Sequence, residues 1–227
     1  MPRTRIKICG LTRAEDIQAV VAAGADAIGF VFYPKSPRYV TPEQAAALIA
    51  AVPPYVTAVG LFVNASVEEI QATRAVAPLS LLQFHGDETP EHSAALAAAV
   101  NMPFTQVFRV KPDTSFEDLL EYEQRYRAAS PLFASLLLDT YVDAYGGAGK
   151  VFDWSLIPEE LAPRVVLSGG LSVQNATDAV VRVRPYAVDI SSGVEASKGI
   201  KDASRVRAFI AAVQDADAII ARGNNHE

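Results

Sequence analysis

The chain has 227 residues, half of them apolar and 20% charged, with 13 glycines and 14 prolines spread along it rather than pooled in one tract. That supports one large core without a visible linker, in an ordinary soluble globular composition. A net charge of −6 disfavours a nucleic-acid or anionic-membrane partner, and a single cysteine permits no internal disulfide. Neither a signal-type apolar stretch nor a membrane-length run is present, so a single-domain cytoplasmic protein is expected.

Short apolar runs alternate with helical patterns from end to end. Strands are predicted to begin near Arg5 (RIKIC), Ala27 (AIGFVF), Thr57 (TAVGLF), Leu79 (LSLLQFH), Phe104 (FTQVFRV), Ala134 (ASLLLDT), Arg164 (RVVLSG) and Tyr186 (YAVDIS). They are apolar on both faces, as parallel strands covered by helices are. A 3.6-residue period predicts helices over 16–21, 42–51, 67–76, 90–100, 115–128, 173–183 and 202–221. Thr41 before Pro42, Thr89 before Pro90, and Ser172 after Gly169-Gly170 read as helix starts. The sixth helix is the weakest, because Trp154-Ser155-Leu156-Ile157 runs into Pro158.

Eight strand–helix units recurring every ~25 residues predict a closed (β/α)8 TIM barrel over 1–221, with a polar, frayed tail over 222–227. An open doubly wound sheet would more often carry five or six strands and a GxGxxG turn, and no such turn follows a strand here.

Strand alternation then places polar side chains on one face near the C-terminal strand ends, where barrels keep their active sites. Lys7 shares a face with Cys9, Gln83 with His85, Leu137 with Asp139, and Asp189 with Ser191. Cys9 ends its run at a Gly turn and helix start, where a thiol's pKa can fall. Asp139 closes an apolar strand, where a raised carboxyl pKa suits proton donation. Ser168-Gly169-Gly170 and Ser191-Ser192-Gly193 follow the seventh and eighth strands, the loops where barrels bind phosphate. Arg38, in the loop after the second strand, could hold a carboxylate through paired hydrogen bonds, although an arginine in a loop is more often merely solvated. Gly146, Gly147 and Gly149 read as a flap over the barrel mouth. Among three histidines no HxH, HExxH or CxxC spacing occurs, so His85 reads as a lining residue; neither metal nor cofactor is expected.

These pieces together resemble the phosphoribosylanthranilate isomerase family of tryptophan biosynthesis. The resemblance lies in KICGLT (7–12), GFVFYPKSPRYV (29–40), VGLFVN (59–64), QFHG (83–86), LLLDT (136–140), GGAGKVFDW (146–154), LSGGL (167–171), DISSGVE (189–195) and GIKD (199–202). Ala148 stands where the family's flap usually has a hydroxyl residue. The resemblance implies an Amadori rearrangement of a phosphorylated aminosugar without metal or cofactor. Asp139 would be its general acid and Cys9 its general base. Arg38 would hold the anthranilate carboxylate, and Gly169, Gly170, Ser191 and Ser192 would surround the phosphate. Lys7 and Asp189, on neighbouring first and last strands, would pair beneath Cys9. The protein would be a monomer or homodimer. Two other readings remain open here: another phosphosugar isomerase or epimerase on the same scaffold, and a non-catalytic phosphosugar-binding barrel with no use for Cys9 or Asp139.

Overall fold

Apolar β-runs separated by amphipathic helices close on themselves in chain order. The computed structural model describes residues 3–140 and 151–223. Eight parallel strands form a closed barrel: β1 (Arg5–Cys9), β2 (Ala27–Val31), β3 (Thr57–Phe62), β4 (Leu81–Phe84), β5 (Phe104–Val110), β6 (Phe133–Thr140), β7 (Val165–Leu167) and β8 (Ala187–Ile190), with β8 pairing back onto β1. Around them lie α1 (Ala14–Ala23), α2 (Pro42–Ile49), α3 (Val67–Val76), α4 (Pro90–Val100), α5 (Phe116–Ala129), α6 (Ala176–Val183) and α7 (Ala203–Gly223). This is the predicted TIM barrel, built on a core between sheet and helices.

Ile6 and Ile8 of β1, Phe30 of β2 and Phe84 of β4 are buried in that outer core with helix residues such as Ile17, Ile70 and Phe209. Each such side chain stabilises the fold by about 1.5–3 kcal/mol through burial. The opposite face of each strand lines the barrel interior, where Lys7, Gln83, Thr105 and Asp189 are buried polar groups. Cys9, Val31 and Leu61 form a small apolar cluster of their own near the C-terminal mouth.

Several helix starts follow their sequence signals. Thr41 with Gln44, Ser66 with Glu69 and Ser115 with Asp118 form capping boxes, while Pro42 and Pro90 occupy first-turn positions. Two expectations are corrected. Where the sixth helix was predicted to be weak, two 3-10 turns, Trp154–Leu156 and Ala162–Arg164, stand between β6 and β7, with Pro158 between them and Pro163 inside the second. Ser172 does not cap α6, which begins at Ala176. Asn175 instead bridges the turn, accepting from the Ser172 N–H at 2.8 Å and donating to the Gly170 carbonyl at 3.0 Å. Of the tail expected over 222–227, α7 includes Arg222 and Gly223, and 224–227 lie outside the described residues. A short hairpin, β9 (Glu195–Ser197) and β10 (Ile200–Lys201), was not foreseen; it follows β8 at the C-terminal mouth.

The barrel seam is fastened by side chains from both chain ends. Asp217 of α7 accepts from the Thr4 N–H at 3.0 Å and from its hydroxyl at 2.7 Å. Asp16 of α1 accepts from the Lys201 N–H at 3.0 Å, and the Thr12 hydroxyl donates to the Gly199 carbonyl at 2.6 Å.

Candidate active site

Cys9 is the last residue of β1, and the chain turns away at Gly10, whose φ is +79°. Opposite Cys9 in register sits Gly29 of β2, whose carbonyl accepts from both the Gly10 and Leu11 N–H groups. A Cβ on Gly29 would lie 2.7 Å from the Cys9 sulfur and 3.2 Å from Lys7 Nζ. Gly29 therefore makes room for the thiol and ammonium together, a role missed in the sequence although a lone Gly inside an apolar strand was its signal. Gly10 serves Arg38 the same way, since a Cβ there would collide with the arginine stem.

Beneath the thiol, Lys7 and Asp189 face each other in register and pair at 2.8 Å, both buried. Burial works to lower the Lys7 pKa, but the negative charges of Asp189 and Cys9 override it, and the ammonium ends above its ordinary value. The expectation for Cys9 is corrected. Burial pushes the thiol up, Lys7 and Lys201 pull it down, Asp189 pushes it up again, and the net direction is upward. The two members of the floor pair thus act on the thiol with opposite signs. Lys7→Met should push the thiol further up and Asp189→Asn should bring it down, read from the pH dependence of iodoacetamide labelling. Labelling profiles that match the parent in both variants would remove the pair from any influence on the sulfur.

Across the mouth, β6 ends with Asp139 and Thr140. Asp139 Oδ1 accepts from the Thr140 N–H at 2.8 Å, and Oδ2 lies 3.5 Å from His85 Nε2. His85 Nδ1 is in turn 3.3 Å from Gln83 Nε2, so β4 presents a polar ladder toward the carboxylate. The loop after His85 is pinned by buried Glu88, which accepts from the Asn64 N–H at 2.7 Å and the Gly86 N–H at 2.9 Å. Glu88 was not singled out in the sequence; a carboxylate just past a strand-end histidine carries no distinguishing pattern.

Gly169 and Gly170 follow β7 with φ of +78° and +68°, conformations that glycine adopts without strain. A Cβ on Gly169 would lie 2.8 Å from Asp139 Oδ1, so this glycine also leaves room for the carboxylate. Ser192 opens a single 3-10 turn, Ser192–Val194, whose first N–H groups have no partner within the turn. Ser191 is placed differently from the sequence expectation. Its hydroxyl donates to the Cys9 carbonyl at 3.0 Å, tying the end of β8 to the end of β1 rather than offering that proton outward.

Arg38 is also engaged. Its Nε and Nη2 donate to the two oxygens of Glu195 at 2.7 and 2.8 Å, and Lys201 Nζ reaches Glu195 Oε1 at 2.9 Å. One edge of the guanidinium is thereby occupied.

The structure brings Cys9, Arg38, Gln83, His85, Asp139, Gly169, Gly170, Asp189, Ser191 and Ser192 to the wall of one cleft at the C-terminal mouth. Gly146, Gly147 and Gly149 lie outside the described residues.

A sequence model of N-(5'phosphoribosyl)anthranilate (PRA) isomerase matches residues 6–212. The chain belongs to the PRA isomerase family. Among its relatives, N-(5'-phosphoribosyl)anthranilate isomerase of Herminiimonas arsenicoxydans is 72% identical over 218 residues, covering 96% of each chain. That of Methylibium petroleiphilum is 56% identical over 219 residues, covering 96% of this chain and 98% of the relative. Among solved PRA isomerase structures, one from Thermotoga maritima superposes with a TM-score of 0.82 at 41% identity, covering 93% of this chain and 99% of that one. Another, at TM-score 0.77, 37% identity and the same coverage, was solved in complex with reduced 1-(o-carboxyphenylamino)-1-deoxyribulose 5-phosphate. No helix among the described residues of this PRA isomerase family member is long and apolar enough to cross a membrane.

Proposed function

We propose that this protein converts N-(5-phosphoribosyl)anthranilate into 1-(2-carboxyphenylamino)-1-deoxyribulose 5-phosphate in tryptophan biosynthesis. The observation that carries the reading is one cleft lined by the Cys9 thiol, the Asp139 carboxyl and the glycine and serine turns after β7 and β8. Its ligand is a small phosphorylated molecule, in keeping with the complex described for a relative.

In the proposed cycle the protonated Asp139 gives its proton to the ribose ring oxygen as the bond from that oxygen to C1 breaks. The lone pair of the anthranilate nitrogen forms the C=N bond of an open Schiff base. Cys9, as thiolate, then takes the C2 proton, and the electron pair left behind moves through C1 to the nitrogen, giving an enolamine. Tautomerisation of the enolamine to the ketone completes the rearrangement. Only protons and electron pairs within one substrate move, which suits a site that works by position and acid–base chemistry.

Gly169, Gly170, Ser191 and Ser192 are assigned to the phosphate, and Arg38 to the anthranilate carboxylate. Gln83, His85 and Asp189 support the reacting end, Asp189 through Lys7 and His85 beside Asp139. Because Cys9 must stay a free thiol, the reducing cytoplasm suits the enzyme.

The test is direct. Freshly prepared phosphoribosylanthranilate should lose its anthranilate-type fluorescence on addition of the protein, including in the presence of EDTA. Tight binding of a phosphorylated product analogue without any turnover would instead establish a non-catalytic sugar-phosphate binder.

A further inference from the structure

The hairpin of β9 and β10 brings Glu195 and Lys201 to the cleft edge, where both are buried against Arg38. Arg38 is held at three points along its length. Its stem crosses Gly10, its backbone N–H donates to the Ser36 hydroxyl at 3.1 Å, and its Nε–Nη2 edge grips Glu195. A guanidinium has five N–H donors, so the Nη1 protons and the second proton of Nη2 remain after that grip. No described side chain accepts from them, and Arg38 lines the cleft. Among the described residues one fork is spent on Glu195 and the other is open.

Charge points the same way. Arg38 and Lys201 share the one carboxylate of Glu195 in a cluster largely removed from water, and burial there lowers the Lys201 pKa although Glu195 opposes the shift. One buried positive charge without a partner is costly, and a single carboxylate would neutralise it. Glu195 is itself secured: Arg205 donates to its carbonyl at 2.5 Å. Burial pushes the Glu195 carboxyl up, but Arg38 and Lys201 outweigh it and hold it below its ordinary value, so it stays ionised at neutral pH. Lys201 Nζ also donates to the Ser191 carbonyl at 3.2 Å, joining this cluster to the loop assigned to phosphate.

We propose that Glu195 and Lys201 complete a preset carboxylate socket, in which Glu195 fixes one edge of Arg38 so that the other meets the substrate's aromatic carboxylate, and Lys201 locks Glu195 in place. Glu195 is a positioning residue, and the socket makes the site selective for aminosugars whose aromatic ring carries an ortho-carboxylate. The inference rests on the assignment of Arg38 made above and adds the device that presents it.

The experiment compares inhibition by the reduced product analogue, by the same compound lacking the ring carboxylate, and by inorganic phosphate. The ratio of the first two constants measures the carboxylate preference; phosphate reports the integrity of the cradle. In Glu195→Gln the preference should fall by about tenfold or more, the size expected for a misplaced charged hydrogen bond. The phosphate constant should stay within about twofold, and the loss should appear in KM more than in kcat. Glu195→Asp, which keeps the charge, should recover part of the preference. Retention of the full preference in Glu195→Gln would overturn the proposal, as would a parallel weakening of phosphate, which marks general loosening. Arg38→Met separates the two layers. If it abolishes the preference while Glu195→Gln does not, only the socket fails; if it leaves the preference intact, the Arg38 assignment and the socket fail together. Should Glu195→Gln not fold, Lys201→Met reads the same ratio, and an unchanged preference there overturns the proposal.

Discussion

Cys9→Ser is expected to lower kcat for phosphoribosylanthranilate by about 10²–10⁴-fold, the usual contribution of a general base. The serine oxygen fits the slot left by Gly29, and the neighbours Val31 and Leu61 tolerate the smaller atom. A hydroxyl, however, releases its proton far less readily than a thiol, and the Lys7 ammonium beside it cannot close that gap. The fold should be intact, with a melting temperature close to the parent's, because Cys9 contributes little to the main core. Chemical modification gives the same result by another route. As the only cysteine, Cys9 is the sole thiol iodoacetamide can label. Labelling should abolish turnover, speed up as pH rises toward the elevated thiol pKa, and slow when a phosphorylated product analogue fills the cleft. A fully active Cys9→Ser enzyme would remove the assigned base.

The second large effect is expected from Asp139→Asn, again about 10²–10⁴-fold in kcat. The amide oxygen can keep accepting from the Thr140 N–H, so the strand end and its loop retain their shape. What is lost is an acidic proton for the ring oxygen. Binding of the reduced product analogue should change by only a few-fold, since that ligand has no ring to open. Stopped turnover with near-parental binding separates lost chemistry from a collapsed site. Loss of both together would mean that Asp139 shapes the cleft rather than driving the reaction.

Much of the site was legible because strand alternation and barrel closure are strict geometric rules. Lys7, Cys9, Asp139 and Asp189 could be placed on the inner face by counting twos, and Lys7 could be matched to Asp189 because the last strand must lie beside the first. What escaped depends on distant partners. The segment from Glu195 to Lys201 carries three charges, yet two of them, Glu195 and Lys201, are buried, because Arg38, 157 positions away, pairs with Glu195 and Lys201 pairs with Glu195 in turn. Gly29 is ordinary in a strand until the sulfur and ammonium opposite it are known. The direction of the Cys9 shift was misjudged for a similar reason. The nearby lysine was foreseen, but the depth of burial, which outweighs it, is a property of the closed barrel.

The links across the barrel seam have a bearing on how the enzyme is made. Lys7 waits for Asp189, Cys9 for Ser191 and Asp16 for Lys201, each pair separated by more than 180 positions. During synthesis the N-terminal half leaves the ribosome first, with its reactive sulfur already translated. Neither the charge floor nor the brace at its strand end exists until β8 and the hairpin arrive. Completion of the assigned site is therefore late: a nascent chain ending before β8 carries the thiol without the charge pair beneath it or the brace at its strand end.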